Sequence, residues 1–235
     1  MRVESQPAYI LHQRSYRESS QILEIFTRDY GRLSVLSRGS RGARSKHRGL
    51  LQPFRLLLLG WGGKGELSSL FTVEPAELQV PMLMGKALAS AIYMNELLMR
   101  LTHRHDVHEA LFYDYHTALI ELSTQAKLEP ALRIFEKRLL EHLGFGMPLV
   151  VDANSGKTIN PEGCYVYHLE HGPVLSSASP QRTALPIVSG RSLLALAAGD
   201  LSDEQVLRDA KQVMRYVLNY YLGGKPLKSR ELFRR

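Results

Sequence analysis

The chain has 235 residues, 44% of them apolar and 23% charged, which is ordinary globular composition, so disorder is not the default. That length suffices for one large or two small cores. The formal charge is +7 and there is one cysteine, Cys164, which excludes an internal disulfide and a multi-cysteine zinc cage and suits a reducing cytosol.

The N-terminus lacks a long apolar signal segment, and the longest apolar runs, 56–59 and 193–198, are far too short to span a bilayer. A soluble, unexported, cytoplasmic protein is expected. From residue 8 to about 74, short apolar segments alternate with turn chemistry. Candidate strands fall at 8–13, 20–28, 33–37, 54–60 and 66–74. Five strands in so short a stretch suggest a small Greek-key barrel of the OB type, often used on single strands. The fold class is therefore α+β, with an OB domain at 1–79 and a helical domain at 80–235.

Charge is concentrated inside the barrel region. Between Asp29 and Glu66 lie Arg32, Arg38, Arg41, Arg44, Lys46, Arg48, Arg55 and Lys64 without one carboxylate. These eight cations exceed the net +7 of the chain, so the remainder sums to about −1. A local cationic field suits a polyanion. The bland reading is a solvated loop that merely aids solubility. Trp61, Phe54 and Tyr30 are candidate stacking faces, worth roughly 1–3 kcal/mol per base where exposed, with barrel core as the competing role for Phe54.

Beyond Pro75 and Pro81 the apolar period becomes helical, at 82–102 and again at 107–123. A third helix is predicted from near Pro130 to Gly144, a natural residue just past a helix end. Residues 146–188 lose periodicity and read as a small irregular insert. Helices resume at 190–198 and 203–222, the latter with Ser202 and Gln205 at capping-box spacing. Within 130–143, Leu132, Phe135, Leu139 and Leu143 form an apolar stripe bordered by Arg133, Lys137 and Arg138. Such a stripe is commonly core, but an acidic peptide ending in an aromatic would need the same apolar floor and cationic rim.

No catalytic motif stands out. GWGGKG at 60–65 matches a dinucleotide fingerprint, yet strand-like sequence follows it where a helix is required. A hairpin is the better reading. His103, His105 and His108 with Asp106 read as a solvated connector rather than a metal site, and Cys164 as a buried, inert thiol. An enzyme is the least favoured class, and no cofactor or metal is expected.

Three stretches in order, AYILHQRSYRESSQILEIFT, the basic loop ending in LLQPF and the terminal YLGGKPLKSRELF, with EPALRIFEKRLLEHLGFG between, resemble the bacterial recombination mediator family RecO. The resemblance covers nearly the whole chain. It implies an N-terminal OB-fold, a helical C-terminal region and a small zinc-finger-like insert. The implied activity is binding and annealing of single-stranded DNA and, with RecR, loading RecA onto DNA coated by single-strand-binding protein (SSB). Implied partners are single- and double-stranded DNA, the SSB tail and RecR, and the implied location is the nucleoid. By residue, it places DNA contact on Arg38, Arg41, Arg44, Lys46 and Arg48, with Lys225, Lys228 and Arg230 as a second patch. It places the SSB tail on Leu132, Arg133, Phe135, Lys137 and Leu139. Many relatives carry four cysteines around the insert. Only Cys164 stands there in this chain, so the insert is expected to hold by packing without zinc. Two other classes compete: an adaptor whose barrel binds acidic proteins, and an RNA-binding module.

Overall fold

Alternating apolar residues in the first third build β1 (Arg2–Tyr16), β2 (Ser20–Thr27), β3 (Gly31–Ser37), β4 (Leu57–Gly62) and β5 (Ser68–Pro75). The computed structural model describes residues 2–42, 45–47, 49–63, 67–124, 128–176 and 185–233. By packing, the chain divides into two units, Met1–Ala126 with Ser229–Arg235, and Lys127–Lys228.

In the first unit the strands close into a barrel in the order β1-β2-β3-β5-β4. β1 belongs to both sides of the closure. Its start pairs with β4 and its remainder with β2, and register shifts between Val3 and Gln6 and between Ile10 and His12 bend it around the corner. Among the described strand pairs of the barrel, β3 with β5 is the parallel one. This is the OB arrangement. Ile10, Leu23, Ile25, Leu33, Val35, Leu57, Leu59, Trp61 and Val73 fill the interior. Within GWGGKG, Gly60, Trp61 and Gly62 belong to β4, and Gly62 pairs with Ser69 of antiparallel β5, so a strand and not a helix follows the motif, as the hairpin reading expects. Lys64 and Gly65 lie outside the described residues.

Helices α1 (Gly85–Leu101) and α2 (Glu109–Ser123) cover one outer side of the barrel. Tyr9 and Phe26, an opposed pair on β1 and β2, pack on Phe112 and Tyr115 with ring centroids 5.1–6.2 Å apart. Burying tyrosines requires partners for their hydroxyls. The Tyr9 hydroxyl, whose pKa is pushed up by burial, shares a hydrogen bond with Nδ1 of His116 at 2.5 Å, and Tyr115 donates to Asn95 at 2.5 Å. Asn95 in turn donates to the Leu11 carbonyl. The α1–α2 connector is tied to β3: Arg32 donates to the Thr102 hydroxyl and carbonyl, and the His105 amide donates to the Arg32 carbonyl. Glu24 accepts from both Arg32 and Arg104 and from the Ser34 hydroxyl. His103 and His105 are exposed, and His108 bonds Asp106 at 3.0 Å.

The second unit holds α3 (Leu128–His142), a sheet of β6 (Cys164–His168), β7 (Gly172–Leu175) and β8 (Ile187–Ser189) in the order β7-β6-β8, then α4 (Gly190–Ala198) and α5 (Glu204–Tyr221). The insert expected to be irregular therefore contains a small antiparallel sheet. Asp152 organises its entry, accepting from the Ser155 amide and hydroxyl and from the Leu175 amide. Those donors stabilise the carboxylate and hold its pKa below the ordinary range. Cys164 is exposed, a correction to the buried thiol expected from sequence. It stands at the first position of a short strand, where one side faces solvent. The cap of α5 also shifts by one residue: Asp203, not Ser202, accepts from the Gln205 and Val206 amides. The C-terminal 3-10 helix, Lys228–Phe233, is anchored by Ser229, whose amide and hydroxyl both donate to Glu96 of α1.

Gly31 marks the tightest approach in the first unit. It has φ +63, and a Cβ there would sit 2.1 Å from the Asp106 carbonyl oxygen. Gly31→Ala combines left-handed strain with a backbone clash, so urea unfolding should show a loss of at least ~2 kcal/mol. An unchanged midpoint would show that the connector can be displaced at little cost.

Candidate nucleic-acid interface

Because β5 lies between β3 and β4 in the barrel order, residues 38–56 must cross over rather than turn back. The crossover is built from successive turns. The Gly42 amide donates to Gly39, the Ser45 amide to Gly42, and the Leu50 and Leu51 amides to His47. Three fastenings hold it to the barrel. The buried Ser40 hydroxyl donates to the Ser37 carbonyl, the Arg41 amide donates to the Ser19 carbonyl, and Leu51 is buried in the barrel core. Arg55 adds a bond to the Gly49 carbonyl at 2.9 Å.

Apolar anchoring leaves the cations outside. Arg38, Arg41 and Lys46 are exposed. Among the described residues none of the three lies within ion-pair distance of a carboxylate; Arg41 makes one long contact, 3.4 Å, to the Arg17 carbonyl. Arg44 and Arg48 lie outside the described residues. The adjoining β1–β2 turn contributes Arg17, whose guanidinium lies over the Tyr16 ring at 5.3 Å. Arg14 is also exposed on the same strand end. Reading charge by windows missed these two, because Glu18, Glu24 and Asp29 separate them from the carboxylate-free window and only folding brings Arg17 beside Arg41.

The expected stacking residues separate. Trp61 is 5% exposed and edge-packed against Tyr30 at 5.4 Å inside the barrel, which removes it as a stacking face. Tyr30 and Phe54 are half-buried. The exposed aromatic on the barrel is Phe71, with Arg2 over its ring at 4.8 Å. It was not among the expected stacking residues, since alternation along a short strand does not say which face is covered.

At the C-terminus Lys225 and Lys228 are exposed and Arg230 is half-buried. On α3, Leu132, Phe135 and Leu139 are buried at 5%, 1% and 0% exposure. They form core, as amphipathic helix stripes commonly do, rather than the floor of an open groove. Arg133 is buried as well, its guanidinium 2.7 Å from the fully buried Glu136 carboxylate. Lys137 donates to the Leu196 and Ala197 carbonyls, where a cation complements the C-terminal end of α4. Among the described residues no group of three His, Cys, Asp or Glu is placed to hold a metal.

The barrel order and its cationic, apolar-anchored crossover place the protein in the OB-fold class, with a surface suited to a polyanionic chain. Family models described as Recombination protein O N terminal and Recombination protein O C terminal match residues 1–79 and 83–231. Proteins named DNA repair protein RecO are similar throughout. The one from Azoarcus sp. (strain BH72) is 42% identical over 98% of this chain and 95% of its own length. That from Nitrosospira multiformis is 44% identical over 99% and 96%. That from Alkalilimnicola ehrlichii is 46% identical over 99% and 92%. The chain belongs to the RecO family of DNA repair proteins.

The Arg133–Glu136 pair makes a testable distinction between structure and binding. Arg133→Ala leaves the Glu136 charge without this partner in the interior, and thermal or urea unfolding should show a loss of about 3 kcal/mol. Replacing both residues by leucine should recover much of it. A fully stable Arg133→Ala protein would mean that this arginine is not needed for packing.

Proposed function

We propose that the chain binds and anneals single-stranded DNA as a non-enzymatic mediator in recombinational repair, with the crossover loop as its main grip. The carrying observation is the combination of apolar anchoring and outward charge: Leu51 is fixed in the core while Arg38, Arg41 and Lys46 stand exposed. Contacts of lysine and arginine to phosphate give affinity without sequence choice. Neutralising two strands also lowers their mutual repulsion, which annealing requires. Arg44 and Arg48 belong to the same cationic sequence, and Lys225, Lys228 and Arg230 supply a second patch of the same chemistry. Family membership supports the wider role, in which the protein acts with RecR to load RecA onto SSB-coated strands. An acidic SSB tail remains the proposed ligand of α3, but the buried floor means that Leu132, Phe135 and Leu139 would first have to be uncovered.

A salt titration measures the grip. With about five phosphate contacts, log affinity for single strands should fall against log salt with a slope of about −3.5, or roughly −0.7 per contact. Arg38→Ala/Arg41→Ala should flatten that slope by about 1.4. An unchanged slope would move the contact elsewhere on the protein. Competition among single-stranded DNA, RNA and an acidic peptide separates the mediator from an RNA-binding module and from a protein adaptor.

A further inference from the structure

The inward-facing positions of the barrel change character toward one end. Along β2 they run Ile25, Leu23, Gln21, and along β3 Leu33, Val35, Ser37, while β1 passes from Ile10 through its bulge to Gln13. The register places Gln21 opposite Ser15 on β1 and Ser37 on β3, and Gln13 opposite Leu23. Apolar filling therefore stops one layer short of the end, and Leu51 from the crossover closes it. Above that plug is an open cleft of about 410 Å3 lined by Gln13, Gln21, Ser40, Arg41, Leu51 and Gln52. Its size lies within the range of small-molecule sites, about 300–1,000 Å3, and barrel mouths are a recurrent place for them.

The lining is chemically specific. Gln13 and Gln52 are exposed and Gln21 half-buried, and among the described residues none of their side-chain amides bonds to the protein. Each primary amide offers two N–H donors and a carbonyl acceptor. Three such groups around an apolar floor match the mixed donors and acceptors along the edge of a nucleobase, whichever base it is. One wall, Arg41, is also an exposed cation of the crossover. Base-edge and phosphate chemistry thus meet in one place.

We propose that the barrel mouth takes one unpaired nucleobase of a bound strand, its edge hydrogen-bonded by Gln13, Gln21 and Gln52 while Arg41 holds an adjoining phosphate. This rests on the single-strand reading above and extends it from the sugar-phosphate chain to the base. A base in a duplex has its pairing edge occupied, so the cleft discriminates against paired strands without discriminating among sequences. Aromatic stacking is not the means in this cleft, since none of its lining residues is aromatic.

The test compares the full chain binding an oligothymidylate with the same oligonucleotide carrying abasic residues throughout its central stretch, each across a salt series. The unaltered protein should prefer the base-bearing strand by about 3–10-fold, the loss expected for one or two neutral hydrogen bonds. Gln13→Ala/Gln52→Ala, at two exposed positions, should erase that preference while leaving the salt slope unchanged. Equal affinity of the unaltered protein for both strands would overturn the proposal, as would a preference that survives in the double variant. Either result with a normal salt slope leaves the phosphate grip standing. A slope near zero in the unaltered protein would remove the single-strand reading itself, and this proposal with it.

Discussion

The arrangement of the first unit follows from one constraint of strand order. With β5 inserted between β3 and β4, and parallel to β3, no short turn can connect β3 to β4, so a long segment must cross between them. A crossing segment cannot share the barrel's ladder hydrogen bonds, so it needs its own turns and an apolar anchor, and Leu51 is that anchor. With Leu51 and Ser40 placed inward, Arg38, Arg41 and Lys46 stand exposed. A cationic surface is thus a consequence of barrel closure combined with local composition.

The opposite consequence appears where the helices dock. Tyr9 and Phe26 commit the outer face of β1 and β2 to α2, and Arg32 with Glu24 commits the edge of β3 to the α1–α2 connector. Buried polar groups there take partners from other elements: Tyr115 with Asn95, Asn95 with the Leu11 carbonyl, Arg32 with Thr102. Such a network makes the covered side rigid and sequence-specific. The mouth of the same barrel is left polar and open. The first unit thus combines a fixed frame on one side with an accessible end.

The second unit shows how one pattern supports two readings. Leucines and a phenylalanine bordered by arginine and lysine describe equally a peptide groove and the buried side of an amphipathic helix. On α3 the stripe is buried, and its cations serve the fold: Arg133 compensates Glu136 and Lys137 binds the end of α4. No helical periodicity distinguishes these outcomes, because the difference lies in whether another element covers the stripe. The same reason explains Trp61, assigned to stacking on chemistry but placed in core by closure, and Cys164, assigned to the interior but standing at an exposed strand start.

Sequence alone determined the succession of elements and the place of the charge. Period two gave way to period 3.6 near Pro81, glycines and prolines marked the turns, and the carboxylate-free window contained the crossover; these are local properties of neighbouring residues, and local physics reports them. Five short strands from residue 8 to about 74 already suggested an OB-type barrel, and the RecO resemblance implied the same fold. Tertiary structure decided everything that depends on residues far apart in the chain: that Arg17 stands beside Arg41, that Gln13, Gln21 and Gln52 share one cleft, and that Phe71 rather than Trp61 is exposed. Burial is a relation between surfaces brought together by folding, so which face of a strand or helix meets water is settled only when its neighbours are in place.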